Sequence, residues 1–191
     1  MKNNGFKRII LHAKRAEGIA RRYFITNGFD GALTLLGLMV GFSSSENIDM
    51  SVAITACLGA SIALFMSGIS SAYLSETAER KKELLDLESA LLSDLSESDY
   101  GKAIHYVPLL VALVNGLSPL LIGLLIISPL WLAQAGIQLP LSPFITAIIL
   151  AMTIIFLLGV MLGKLSKQFW LWTGLRTLAI AGLTAILISL F

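Results

Sequence analysis

Asp30 is the only acidic residue within the apolar part of any long hydrophobic run in this sequence, where it stands in NGFDGALTLLGLMVG. A carboxylate at membrane depth costs about 3 kcal/mol unless it is paired, hydrated or protonated, so its chemistry there would be to hold a cation or a proton. The bland alternative is a structural one, with Asp30 capping the helix near the membrane interface or pairing with Arg21, Arg22 or Arg176. Thr34, Gly37 and Gly41 share the helical face of Asp30 and would let another backbone approach along that stripe. Gly59, Ala60, Ala63, Ser67, Ser70 and Ser71 form a matching small-residue surface further on, suited to close helix packing or to a polar pathway. Met66 offers a soft thioether that could pass a transition metal, though methionine also serves as packing filler. Asn115 and Ser118 precede Pro119 in NGLSPLLIG, where a proline frees a backbone carbonyl; such breaks supply ion ligands in some transporters and merely kink helices elsewhere.

Outside the apolar runs, Glu76, Glu79, Glu83 and Asp86 recur at three- and four-residue spacing. On a helix this lets carboxylates converge on a hard or borderline cation, unless Arg80, Lys81 and Lys82 simply pair with them on a solvated face. His12 and His105 are far apart and form no histidine box. Cys57 is the only cysteine and lies in an apolar run, so neither a disulfide nor a cysteine metal cluster can form within one chain. Catalytic triad spacing, a phosphate-cradling glycine loop and zinc-ligand spacing are all missing, which argues against an enzyme.

The elements that must position these residues follow from composition. Of 191 residues, 56% are hydrophobic and 14% charged, against about 25% charged in soluble domains. The apolar residues arrive in blocks of bilayer length, at about Tyr23 to Phe42, Met50 to Leu74, Tyr106 to Ala133, Phe144 to Gly163 and Phe169 to Phe191. The expectation is an all-α integral membrane protein with five transmembrane helices. Residues 1–22 carry seven of the 14 Lys and Arg residues. Phe6, Ile9, Ile10 and Ala13 recur there at helical spacing, as in an interfacial amphipathic helix. Residues 23–74 hold the first two spans, 75–104 a charged helical segment forming a hairpin or an extension of the second span, and 105–191 the last three. All five prolines fall between Pro108 and Pro143, which predicts kinks at Pro119 and near Pro129.

Lys and Arg are retained on the cytoplasmic side, and they concentrate in residues 1–22, in Ser75 to Lys102 and in Gly163 to Gln168, with none in Ser43 to Asp49 or Gln134 to Ser142. The N-terminus is therefore expected in the cytoplasm and the C-terminus outside, in a prokaryotic cell membrane. The basic N-terminal cluster sits beside the first span, so membrane lipid rather than nucleic acid is its expected partner.

The sequence NGFDGALTLLGLMVGF resembles the Asp-Gly-containing first helix of the vacuolar iron transporter family, a group of five-helix dimeric carriers. GASIALFMSGISSAYLSETAERKKE is similar to that family's small-residue second helix and its Glu-rich exit. NGLSPLLIGLLIISPLW resembles its third helix and GLRTLAIAGLTAILISL its last. The resemblance covers nearly the whole chain from Asn27 onward. It implies a transport role for Asp30, a homodimer, and iron(II) or manganese(II) as the transported ion, with no tightly bound cofactor. Two positions depart from the pattern: Gly68 stands after Ser67 where the family has a metal-contacting methionine, and Ala60 where it has a glutamate. The segment Ser75 to Lys102 is also shorter than the metal-binding domain of the plant members.

The leading expectation is thus a divalent metal transporter with Asp30, Thr34, Met66, Ser67 and Asn115 along the path. Glu76, Glu79, Glu83 and Asp86 would gather metal at the cytoplasmic mouth for export, with proton exchange as one form of coupling. Gly37, Gly41, Gly59 and Ala63 would serve helix packing. Gly68 and Ala60 favour a second reading, a non-transporting membrane scaffold of the same fold. A third is a lipid-acting membrane enzyme, with Asp30, Asn115 and Arg176 lining a headgroup pocket.

Overall fold

Nothing in the stretch between Glu17 and Phe42 breaks a helix, since Gly18, Gly28, Gly31, Gly37 and Gly41 only weaken one and proline is absent. In a computed structural model the basic segment and the first apolar run accordingly form one helix, α1 (Asn3–Ser44), rather than two elements meeting at residue 22. The structure describes the backbone of residues 3–45, 48–96 and 98–190, and the side chains of these except 3–16, 99, 100, 102, 103 and 105. The apolar stripe of Phe6, Ile9, Ile10 and Ala13, and both histidines, His12 and His105, therefore lie outside the described side chains.

Helices α2 (Met50–Leu91), α3 (Asp99–Gln134), α4 (Pro143–Leu165) and α5 (Trp170–Ser189) complete the five among the described residues. All five are long and apolar enough to cross a membrane, and the protein is an all-helical, membrane-embedded chain. At 1.5 Å per residue the 42 residues of α2 extend about 63 Å, roughly twice a hydrocarbon core of about 30 Å. The polar residues after Leu74 thus continue the second helix. They belong to an extension and not to a separate hairpin, and residues 99–104 already form the first turns of α3. Helix α3 runs without interruption through Pro108, Pro119 and Pro129.

Helix ends follow local chemistry. Asp49 accepts the Ser51 N–H at 2.9 Å, capping α2, and that bond holds its carboxyl below the usual carboxylate range. The Ser142 hydroxyl accepts the Ile145 N–H at 3.3 Å, with Pro143 beginning α4. Three C-termini close with the same six-to-one backbone bond, from Ser93 to Glu88, Ile137 to Leu132 and Gln168 to Gly163. This closure needs one left-handed residue. Gly136 supplies it at φ 82°, but Leu92 and Lys167 adopt it at φ 48° and 55°, where a Cβ is disfavoured. Leu92 is 93% exposed and contributes no packing. Leu92→Gly is therefore expected to stabilise the protein by about 1 kcal/mol, read as a raised melting temperature in detergent, and a lowered one would contradict the cap assignment.

The chain divides into two compact units. The first, Met1–Phe24 with Met66–Leu117, buries Ala72, Ile104, Val111 and Ala112. The second, Ile25–Phe65 with Ser118–Phe191, has a core of Leu35, Leu36 and Met39 from α1, Cys57 from α2, Ile126, Ile127 and Leu130 from α3, and Ile155 from α4. Its outer surface carries Leu121, Leu125, Ile149, Leu157, Leu183 and Ile186, each about half exposed, a pattern at home in lipid.

Small residues set the helix spacing in the second unit. A Cβ on Gly31 would come within 2.8 Å of the Pro119 Cα and Cβ, so α1 and α3 touch backbone to backbone there. The facing surfaces of α4 and α5 are built alike. A Cβ on Gly163 would lie 2.9 Å from the Trp170 Cα, and the Thr177 hydroxyl donates to the carbonyls of Gly174 at 2.8 Å and Ile155 at 3.2 Å.

Candidate functional site

Among the described residues, each unit holds a cavity in which predicted site residues meet other groups. In the second unit a cleft of about 260 Å³ lies among α1, α4 and α5, lined by Ile25, Phe29, Leu158, Leu162 and Ile180 with Thr26, Asp30 and Thr177 as polar contributors. Helix α1 places Asp30 and Thr34 one turn apart, both exposed, and the Thr34 hydroxyl is spent on the Asp30 backbone carbonyl at 2.8 Å. The Asp30 carboxylate makes no ion pair among the described residues. Arg176, one of the arginines expected beside it, instead stacks on the Trp172 ring at 5.4 Å. The arrangement is an accessible carboxylate on an apolar wall, able to exchange protons or bind a cation that reaches it.

The stretch that follows Asp30 on α1 is only partly a packing surface within one chain. A Cβ on Gly37 would meet Ile188 of α5 at 3.0 Å, whereas Gly41 and Gly59 face open space and Ala63 is exposed. On α2, Met66 is 55% exposed, and Ser67 and Ser70 are exposed beside it.

In the first unit Asn115 is 3% exposed, and its side-chain amide donates to the Gly68 carbonyl at 2.8 Å. That bond ties α3 to α2 and gives Gly68 a structural role that local sequence spacing did not suggest.

The acidic exit of α2 is where the structure adds most. A cavity of about 310 Å³ is lined by Glu76, Glu79 and Glu83 together with Arg80, Arg22 and Tyr23. Asp86 is exposed and does not line it. The sequence left open whether these carboxylates converge on a cation or pair with Arg80, Lys81 and Lys82 on a solvated face; Arg80 does pair with them, but Glu76 and Arg80 are each only 8% exposed. The Arg80 guanidinium reaches Glu76 at 3.9 Å and Glu83 at 3.4 Å, so a cation of the chain's own already sits among these carboxylates. Arg22 lies over the Tyr23 ring at 5.7 Å. The i to i+4 and i to i+3 pairs were legible in the sequence; the burial that makes them matter was not. No group of three or more His, Cys, Asp or Glu side chains placed to hold a metal ion occurs among the described residues.

No protein-family model matches the sequence. The chain is 34% identical over 170 residues to the uncharacterized protein MJ0645 of Methanocaldococcus jannaschii, a match that covers 87% of this chain and 85% of that protein. Identity of that order, sustained along nearly all of both chains, is a relationship between whole chains and not a shared motif. The chain belongs to the same family as MJ0645 of Methanocaldococcus jannaschii.

Proposed function

We propose that this protein is a secondary carrier for a divalent metal such as iron(II) or manganese(II), working as a homodimer in a prokaryotic cell membrane with its N-terminus in the cytoplasm. The observation that carries the reading is the Asp30 carboxylate, exposed on a membrane-crossing helix and without an ion pair among the described residues. A charge kept at that depth at a cost of about 3 kcal/mol is expected to meet a mobile cation or proton. Gly41, Gly59 and Ala63 support the dimer, because small residues facing outward from membrane helices suit a second copy better than lipid tails. The resemblance of the first, second, third and last helices to the vacuolar iron transporter family supports the metal and the path between paired first and second helices. Metal gathered at the acidic exit of α2 would leave the cytoplasm, in exchange for protons at Asp30.

The direct test is flux. Purified protein in proteoliposomes should carry manganese(II) faster than protein-free liposomes, and more so with a proton gradient directed against the metal. Equal flux with and without protein would overturn the carrier reading. One observation favours a non-transporting scaffold instead: Arg80 already neutralises part of the acidic exit. A scaffold would show neither flux nor saturable manganese binding.

A further inference from the structure

Two groups on the cavity at the acidic exit of α2 have needs that the chain does not meet, and those needs are opposite. Arg80 lines the cavity and is more than nine-tenths buried. Its terminal nitrogens reach Glu76 at 3.9 Å and Glu83 at 3.4 Å, while its Nε–H is buried with no acceptor among the described residues. A charged donor left buried and unsatisfied calls for an acceptor. Glu79, on the same cavity, is exposed and makes no hydrogen bond or ion pair among the described residues. With Arg22 included, the lining holds two guanidiniums against three carboxylates, an excess of negative charge that a bare anion would worsen. A ligand that suits both groups therefore carries an acceptor oxygen and a cationic donor, and about 310 Å³ leaves room for it.

The position of the cavity narrows the class. Its lining from α1 is Ile19, Arg22 and Tyr23, where the first apolar run begins, and its lining from α2 starts at Ser75, directly after the second run ends at Leu74. Ser75 to Glu79 is about 6 Å of helix, the thickness of one headgroup layer, and tyrosine is a residue type that settles at that level. We infer that this cavity is a lipid headgroup site, selective for a phosphodiester that ends in a primary ammonium, as in phosphatidylethanolamine. A phosphate oxygen accepts the Arg80 Nε–H, and the ammonium donates to the Glu79 carboxylate. A choline headgroup has no N–H to give Glu79, and a glycerol headgroup brings no positive charge, so both fit less well. The site is separate from Asp30, and it holds whether or not the protein carries a metal.

The experiment is native mass spectrometry of the full chain in detergent, titrated with phosphatidylethanolamine, phosphatidylcholine and phosphatidylglycerol, for wild type, Glu79→Gln and Arg80→Lys. Wild type is expected to bind phosphatidylethanolamine about ten-fold tighter than either of the others, the worth of one charged hydrogen bond. Glu79→Gln should bring the ethanolamine and choline lipids level. Arg80→Lys, which keeps the charge but loses the Nε–H, should weaken phosphatidylethanolamine about ten-fold. Equal binding of the three lipids by wild type, an undiminished ethanolamine preference in Glu79→Gln, or unweakened binding in Arg80→Lys overturns the inference. Glu79 is exposed, so its variant decides the matter even where Arg80→Lys folds poorly. Glycerophosphoethanolamine, the same headgroup without acyl chains, distinguishes the source of the ligand. A weaker affinity than the lipid's supports the membrane as that source, and an equal affinity assigns the cavity to a soluble phosphodiester and overturns the lipid assignment.

Discussion

Asp30→Asn is expected to lower manganese flux through reconstituted protein by about 100-fold while leaving the protein as stable as wild type or more so. The two halves of that expectation come from the same physics. Removing one charge from a charge-to-charge contact costs about 2 to 5 kcal/mol of binding, and 2.7 kcal/mol is a factor of about 100. Asparagine keeps the shape of the side chain and can still bind weakly, but it cannot neutralise a dication or carry a proton. On the folding side, Asp30 makes no ion pair among the described residues, so the substitution breaks no salt bridge and removes a charge from an apolar wall. Loss of flux together with a retained or raised melting temperature separates a working residue from a structural one. Asp30→Glu, which keeps the charge but moves it by one methylene, should retain part of the flux. Full flux in Asp30→Asn would remove Asp30 from the path.

The second large effect is expected next door, and on folding. Gly31→Leu should prevent accumulation of folded protein, and Gly31→Ala should cost about 1 to 3 kcal/mol, the usual range for overpacking. The atoms that a new Cβ would meet are the Pro119 Cα and Cβ at 2.8 Å and the Pro119 carbonyl oxygen at 3.3 Å. Backbone and a proline ring cannot rotate away as a leucine tip can, so relief requires α1 and α3 to separate. Folded proteins hold only about 5 to 15 kcal/mol in reserve, and the larger substitution is expected to exceed it. Fluorescence-detected gel filtration of detergent extracts gives the readout. Gly41→Ala is the matched control, because nothing lies within 4 Å of its Cβ position. A monodisperse, wild-type-like Gly31→Leu peak would contradict the close approach of the two helices.

The adjacent pair Asp30-Gly31 thus does two jobs that a sequence shows unequally. A lone carboxylate in an apolar run is conspicuous from residue type alone, and the five runs of bilayer length were equally plain. Glycine is ambiguous until its neighbour is known, and Pro119 is 88 positions away in the chain. Asn115 makes the same point in reverse. Its position before a proline was conspicuous in the sequence, whereas the carbonyl 47 residues distant that its amide engages is a partner spacing could not reveal. Charge pattern left two readings of Ser75 to Lys102 open, a hairpin or an extension of the second span, and the continuous α2 is the extension. Polar side chains are good helix formers, so α2 continues past Leu74 to a terminus marked by neither glycine nor proline, at Leu92. At the acidic exit, charge pattern located the cluster correctly. What it missed was solvent access, because Glu76 and Arg80 are covered by tertiary packing that a helical wheel does not contain.

Cys57, the sole thiol of the chain, is fully enclosed in the core of the second unit. That seclusion makes the natural protein a ready background for site-directed labelling. A cysteine introduced at an exposed position outside the apolar runs, such as Leu92, would be the only thiol within reach of an aqueous maleimide or a nitroxide reagent. One such probe per chain, with the native residue left in place, turns a distance distribution measured by pulsed electron resonance into a ruler between copies.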